Sequence, residues 1–149
     1  MTMKKLSFLL LACVISLCAC NSRAGNDKLI QVNQLPATAQ QLIKKHFPNR
    51  TVSVVKEDKD LTTKDYEVIF ANGDKIEFDD KGNWDNIDCK STAVPDALVP
   101  APILKYVRAN YPAVSIISID KDRRDIEIEL SNRMDLKFDL KYNLIDIDN

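Results

Sequence analysis

Two stretches of similar sequence decide the fold of this chain. Residues 71–79 read ANGDKIEFD, and residues 131–139 read SNRMDLKFD. The asparagine, one aliphatic residue, the phenylalanine and the last aspartate keep their spacing, and a lysine and a second asparagine follow at matching distances. A fixed spacing of this kind is typical of an internal repeat. Residues 32–90 and 94–149 therefore align as two copies of one unit.

Each copy begins with a segment of helical periodicity between two prolines. The first runs from Leu35-Pro36 to Phe47-Pro48, and the second runs from Val99-Pro100 to Tyr111-Pro112. A proline is tolerated in the first turn of a helix and ends a helix that it follows. The pattern predicts one helix per copy. The apolar residues expected on one helix face are Leu35, Ala39, Leu42, Ile43 and Phe47, then Val99, Ile103, Tyr106, Val107 and Tyr111.

The rest of each copy alternates with period two, which is typical of strands with one buried face. The expected strands begin with 52–56 and 115–119 and end with 84–88 and 144–148. The predicted class is therefore α+β: two tandem α-ββββ repeats, with antiparallel meander sheets and helices on one face. The expected inward residues are Tyr66, Val68, Phe70, Ile76 and Phe78, then Ile126, Ile128, Leu130, Met134, Leu136 and Phe138.

Side-chain parity predicts the hairpin registers, because opposite residues of an antiparallel pair point to the same face. A three-residue loop at 71–73 needs a positive φ, which Gly73 supplies. A two-residue loop at Lys81-Gly82 would then direct Asp85 inward. The predicted pairs are Val68 with Ile76, Tyr66 with Phe78, Ile76 with Ile87, Leu136 with Ile147, Phe138 with Ile145, and Lys137 with Asp146.

The N-terminus has the pattern of a secretory leader. Lys4 and Lys5 precede an uncharged apolar run over 6–17, which is too short to span a bilayer. The run ends in Leu-Cys-Ala-Cys at 17–20, which resembles a bacterial lipobox. We expect residues 1–19 to be a signal peptide, Cys20 to carry lipid, and 20–31 to form a tether. Cleavage after Ala24, which would release a soluble periplasmic protein, is the alternative.

The composition argues against catalysis, cofactors and nucleic-acid binding. The formal net charge is −1, so the chain has no basic excess to attract nucleic acid. Its single histidine, His46, suits the C-terminal end of a helix, and Cys89 suits a small buried residue. No cysteine or histidine spacing matches a zinc site, and the acidic run at 79–85 lacks the ligand order of a calcium loop. We expect no catalytic residue, no metal and no cofactor.

The outward side of the sheet is the candidate binding surface. Parity places Glu67, Ile69, Glu77 and Trp84 there in the first copy and Leu144 in the second, with Tyr142 close by. Aromatic and aliphatic side chains among charges are typical of binding hot spots. The alternative for Trp84 is that it packs at the sheet edge or at the junction between the copies.

The lipobox leader, the two helices bounded by Leu-Pro and Phe/Tyr-Pro, and the Asn-x-x-x-Ile/Leu-x-Phe-Asp meander resemble the beta-lactamase-inhibitor-like, PepSY-like family of exported proteins. The resemblance covers roughly residues 32–149. It implies the fold of the beta-lactamase inhibitory protein, in which the two sheets join and the helices lie on the other side. It supplies no catalytic residue.

Three functions are compatible with the sequence. The leading hypothesis is a non-catalytic module of the cell envelope that presents its open sheet face to an unidentified protein or peptide, with the membrane contacted only through the N-terminal lipid. An inhibitor of a secreted hydrolase, either a peptidase or a beta-lactamase, is the second and rests on fold analogy. The third is a passive structural component of a lipid-anchored surface assembly.

Overall fold

The computed structural model describes residues 27–148, which form two helices and one antiparallel sheet. The chain is therefore α+β, as predicted. The predicted signal peptide, the lipid site at Cys20 and the alternative cleavage at Ala24 lie outside the described residues. The elements are β1 (Lys28–Leu29), α1 (Ala37–His46), β2 (Val52–Lys59), β3 (Lys64–Phe70), β4 (Lys75–Phe78), β5 (Trp84–Asp88), α2 (Ala101–Asn110), β6 (Ile116–Lys121), β7 (Asp125–Leu130), β8 (Asp135–Asp139) and β9 (Leu144–Asp148).

The nine strands of residues 27–148 form one sheet in which each strand pairs with its neighbours in sequence. The two halves join where β5 pairs with β6, with Ile87 opposite Ile119. β1 lies within the stretch 20–31 that the sequence suggests is a tether, and it pairs with β2. No helix within the described residues is long and apolar enough to cross a membrane.

One row of aliphatic residues runs across the sheet and carries the core. Successive pairings connect Val55, Val68, Ile76, Ile87, Ile119, Ile128, Leu136 and Ile147. Opposite residues share a face, so all eight point to one side of the sheet, which we call the inner face. Every member of the row except the last is buried.

Both helices cover the inner face, through the residues that helical periodicity predicts. Ala39 and Ile43 of α1 and Ile103 and Val107 of α2 are buried. The ring of Phe47, directly after α1, lies 5.4 Å from that of Phe70. The ring of Tyr106 in α2 lies 5.6 Å from that of Phe138, edge to face. The opposite side of the sheet, the outer face, carries the alternate residues.

The hairpins confirm the predicted registers at their centres and correct them at their last turns. The pairs Val68–Ile76 and Tyr66–Phe78 form, and Gly73 has a φ of +88°. The predicted two-residue loop at Lys81-Gly82 is wrong, because Asp79 N–H donates to Asn83 O and closes a longer turn. Asp79 Oδ1 also accepts the N–H groups of Lys81 and Asn83, which stabilises that turn.

The longer turn is followed by a β-bulge, which shifts the register by one residue. Phe78 therefore pairs with Trp84, and Asp85 is exposed instead of pointing inward. The second half has the same irregularity, so the predicted pair Phe138–Ile145 is wrong and Phe138 pairs with Leu144. The other predicted pairs of that hairpin, Leu136–Ile147 and Lys137–Asp146, are confirmed.

A buried polar cluster connects the first hairpin to the segment that leads into α2. Asp74 is 1% exposed and forms an ion pair with Arg50. Its carboxylate also accepts hydrogen bonds from Thr92 Oγ1 at 3.0 Å and Ser91 Oγ at 3.2 Å. The Cys89 thiol is buried beside this cluster, as predicted, and burial raises its pKa.

Candidate binding surface

Two central rows of side chains run along the outer face, and the pairs Asp58–Asp65 and Asp125–Asp139 lie beyond them on the same face. The first row follows the pairings Lys56, Glu67, Glu77, Asn86, Asp120, Glu127, Lys137 and Asp146. The second follows Val54, Ile69, Lys75, Asp88, Ser118, Glu129, Asp135 and Asp148. The structure therefore places Glu67, Ile69 and Glu77 on the outer face, as predicted.

The β2–β4 end of the outer face combines an apolar pair with paired charges. Ile69 lies opposite Val54, a partner that the sequence reading missed because β2 contains a bulge at Ser53. Beside them, Lys56 Nζ lies 2.8 Å from Glu67 Oε1, and Lys75 Nζ lies 2.7 Å from Glu77 Oε1. The hydrogen bond to Glu67 raises the pKa of Lys56, and the hydrogen bond to Glu77 raises that of Lys75. Lys56 and Lys75 thus offset the charges of Glu67 and Glu77, but Asp58 and Asp65 lie directly opposite each other on the same face and leave excess negative charge at this end as well.

The β6–β9 end is acidic. Asp120 lies directly opposite Glu127, and Glu129 lies directly opposite Asp135. Like charges directly opposite in a sheet destabilise it. Lys137 offsets part of the charge, since its Nζ lies 3.0 Å from Glu127 Oε2, and this hydrogen bond raises the lysine pKa. Both ends of the outer face thus carry excess carboxylates, and the apolar pair of Val54 and Ile69 distinguishes the β2–β4 end.

The central strand β5 supplies acceptor atoms between these two ends. Asn86 Nδ2 donates to Asp120 Oδ2 at 2.9 Å, across the junction of the halves. Asn86 Oδ1 and Asp88 Oδ1 are both buried and accept no hydrogen bond from the described residues. A buried acceptor without a donor costs free energy, so these atoms favour a donor-rich partner or water above β5.

Trp84 and Leu144 do not lie on the outer face, which corrects their predicted placement. Because of the bulges, they pair with the inward residues Phe78 and Phe138, and both pack against the core. Lys121 Nζ of β6 lies 3.5 Å from the centre of the Trp84 ring, which is a cation–π contact. Burial lowers the pKa of Lys121. Trp84 therefore packs at the junction between the halves, the alternative that the sequence left open.

Tyr142 lies in the turn before β9, and its side chain is 41% exposed. Its φ is +66°, at the position that matches Gly82 of the first half. Tyr142 is thus an exposed turn residue and does not belong to either row of the outer face. Whether it contacts a partner stays a prediction.

The carboxylates of the acidic turns stabilise the turns themselves. Asp79 Oδ2 accepts Asn83 Nδ2 at 2.9 Å, and Asp139 makes the same contact with Asn143. Burial works to raise the pKa of Asp79, but the hydrogen bonds from Asn83 and Lys81 outweigh it and lower that pKa. Within residues 27–148, no three histidine, cysteine or carboxylate side chains are arranged to hold a metal ion.

Comparison with known proteins identifies the family. A family model described as "Putative beta-lactamase-inhibitor-like, PepSY-like" matches residues 24–65 and 64–146. No curated protein shows significant similarity to the chain. The description is inhibitor-like and indicates no catalytic family.

Three solved structures resemble the chain over most of its length. A "putative periplasmic protein" from Bacteroides vulgatus shares 53% identity and a TM-score of 0.82, and the match covers 85% of this chain and 99% of that one. A "putative calcium-regulated periplasmic protein" from Bacteroides thetaiotaomicron shares 57% identity and a TM-score of 0.80, covering 83% and 97%.

A second periplasmic protein from Bacteroides vulgatus, described as of unknown function, shares 36% identity and a TM-score of 0.77, covering 83% and 99%. These descriptions support an exported, periplasmic location. The family match and the two relatives above half identity agree with the α+β fold. The chain belongs to the beta-lactamase-inhibitor-like, PepSY-like family of periplasmic proteins.

Proposed function

We propose that this protein is a non-catalytic binding module of the cell envelope and that its outer face takes up a protein or peptide. The observation that supports the proposal is the exposure of the outer face. Both helices pack on the inner face, and the side chains of the outer rows remain exposed or half-buried within residues 27–148. Ile69, Glu67 and Glu77 are the proposed central contacts, and the exposed turn residue Tyr142 is a weaker candidate contact.

The apolar pair at one end of the outer face and the opposed carboxylates along it indicate the chemistry of the partner. An apolar side chain of the partner would pack on Val54 and Ile69, and cationic side chains would lie above β7 and β8. Neighbouring strands are about 4.8 Å apart, so four strand spacings between β3 and β7 separate these contacts by roughly 19 Å. A partner that crosses the strands with an aliphatic anchor at one end and lysines or arginines at the other matches both ends.

The unfavourable carboxylate pairs support a role in binding. A lysine opposite Asp135 would stabilise the sheet, yet Glu129 stands there. Positions that oppose local stability are expected at functional sites. Glu129→Lys should raise the stability of the free protein by up to about 1 kcal/mol and weaken capture of a cationic partner.

Affinity capture from envelope extract tests the outer face directly. Immobilised wild-type protein is compared with Ile69→Glu, which places a charge in the apolar end. Leu61→Glu is the matched control, because Leu61 is 99% exposed in the loop between β2 and β3. We expect Ile69→Glu to lose proteins that wild type and Leu61→Glu retain, with similar melting temperatures. Identical capture by all three proteins would contradict the proposal.

The family description favours a second candidate, an inhibitor of a secreted hydrolase. The test is titration of purified protein against a panel of beta-lactamases and secreted peptidases. If Ile69→Glu abolishes the inhibition and Leu61→Glu preserves it, the outer face is the inhibitory surface. Unchanged activity of the whole panel at micromolar protein would end this candidate.

We also propose that the halves 32–90 and 94–149 are diverged copies of one α-ββββ unit. Support comes from matching contacts: the Asp79 and Asp139 turns, and the bulges that follow them. The helices likewise start after Pro36 and Pro100. Each copy alone would be too small for a stable core, which explains why β5 and β6 join the two into one sheet.

We further propose that Cys20 is the lipidated N-terminus of the mature protein. The lipobox sequence at 17–20 supports it, together with the periplasmic relatives. Metabolic labelling with a radioactive fatty acid would label wild type and leave Cys20→Ser unlabelled. Cys18→Ser is the control and should keep the label.

A further inference from the structure

The last strand of the sheet exposes apolar residues that the other strands bury. Ile87 in β5 and Ile147 in β9 belong to the same aliphatic row of the inner face. Ile87 is 0% exposed, whereas Ile147 is 46% exposed and Ile145, in the same strand, is 55% exposed. Ile87 is buried because β6 continues the sheet beyond it, and within residues 27–148 no strand continues the sheet beyond β9.

The backbone of β9 is also directed toward the open edge. Alternate residues of a strand direct their N–H groups to opposite sides. In β5, the Cys89 N–H donates to Ile117 O of β6, so Ile87, two residues earlier, faces β6 as well. Ile147 holds the matching position in β9, and its N–H donates to the Asp146 carboxylate at 3.0 Å. That donor lies on the edge away from β8.

The charged residues beside the β9 edge determine which partner strands can pair with it. Asp146 is exposed on the outer side of β9, and it shares a shallow depression with one lysine and three further carboxylates, namely Lys137, Glu127, Asp135 and Asp148. Two copies paired through β9, with their helices on the same side, would bring Asp146 opposite an aspartate of the other copy. Like charges in that position oppose self-pairing. A strand with basic residues on its outer side avoids this cost.

We infer that β9 accepts a tenth strand from another protein, antiparallel to β9, in which aliphatic residues alternate with lysine or arginine. An aliphatic residue covers Ile147, and the basic residues lie beside Asp146. The pairing of β5 with β6 is the pattern for this contact, since Ile119 covers Ile87 in the same way. Addition of a strand to a free sheet edge gives affinity through backbone hydrogen bonds and specificity through alternate side chains. The site shares Asp146 with the acidic end of the outer face and does not include the apolar end at Val54 and Ile69.

The probe is an acetylated and amidated peptide of four Val-Lys repeats, with affinity measured by fluorescence anisotropy against the full mature protein. In the antiparallel register the valine N–H groups face β9, and the lysine N–H groups face away. N-methylation of the valines should therefore weaken binding at least about tenfold, because several backbone hydrogen bonds are lost. N-methylation of the lysines, which leaves charge and composition the same, should preserve binding.

Protein variants give an independent reading. Ile147→Lys should weaken binding about tenfold or more, since it replaces an apolar contact by a like charge. Asp122→Lys, in the exposed β6–β7 turn, is the charge control and should bind like wild type. Equal binding of both N-methylated peptides, or unchanged binding by Ile147→Lys, would overturn the inference. So would a dimer of the free protein that Ile147→Lys dissociates. None of these results depends on Ile69, so failure here and failure of the outer-face proposal are distinguishable.

Discussion

The buried ion pair of Arg50 and Asp74 allows a quantitative test of the packing. Arg50→Val would leave the Asp74 carboxylate with neutral donors only, namely Asn72, Ser91 and Thr92. Removing one partner of a buried ion pair costs about 3–5 kcal/mol, and three remaining donors indicate the lower end, about 3 kcal/mol. Loss of the guanidinium contact with the Phe47 ring, 4.7 Å away, adds up to about 1 kcal/mol.

The second half of the chain supplies the matched double variant. Val114 and Met134 hold the positions of Arg50 and Asp74 there, and both pack against the core. A well-packed apolar pair often replaces a buried ion pair without loss. Arg50→Val combined with Asp74→Met should therefore lose clearly less free energy of unfolding than Arg50→Val alone. Urea unfolding at pH 7 measures all the variants. A double variant at least as unstable as the sum of its two single variants would refute the assigned coupling.

Three further predictions concern the turns and the junction. Gly82→Ala should lower the free energy of unfolding by about 3 kcal/mol or more, because a Cβ there would lie 2.9 Å from Ala39 N at a φ of +82°. Gly73→Ala has open space around it and should lower the free energy of urea unfolding by only about 1–2 kcal/mol. Because the pKa of Asp79 is lowered in the folded state, its contribution is present above about pH 4 and is lost as pH falls through the folded value. Asp79→Asn should therefore flatten acid unfolding below pH 4, and an unchanged acid profile would contradict this. Trp84→Ala should lower stability by about 2–3 kcal/mol in thermal unfolding, since it loses core packing and a cation–π contact; unchanged stability with weakened capture would instead make Trp84 a binding residue.

Side-chain alternation in the sequence predicts the strand pairing correctly at the centre of each hairpin but not at its last turn. The pairs of Val68 with Ile76 and of Leu136 with Ile147 follow from alternation alone, because a shift by one residue would expose a whole face. The turn at Asp79 is different, since one carboxylate accepts three hydrogen bonds within it and stabilises a longer loop. The longer loop is followed by a bulge that places Trp84 on the inner face. Side-chain alternation alone does not predict this bulge.

Burial at two positions depends on neighbours that a sequence pattern does not contain. Asp74 has the residue type of an exposed turn, yet it is buried because Arg50, Ser91 and Thr92 converge on it from distant parts of the chain. Ile147 has the parity of a core residue, yet it is half exposed because no strand of residues 27–148 pairs with β9 on its far side. Side-chain alternation predicts which face of the sheet a residue points to, whereas its exposure depends on which other residues pack against that face.

The acidic end of the outer face and the apolar edge of β9 belong to the same strands, and this arrangement limits what the edge can bind. Edge strands are commonly protected from aggregation by charged residues, and Asp146 serves that purpose against a second copy of this chain. The same charge attracts a strand whose outward residues are basic, so protection and selection follow from one side chain. A partner strand has to replace the Asp146 carboxylate as the acceptor of the Ile147 N–H, and basic residues on its outer side compensate the displaced carboxylate. An exposed isoleucine on this edge is thus compatible with a monomer in solution, because the aspartate beside it decides which strands can approach.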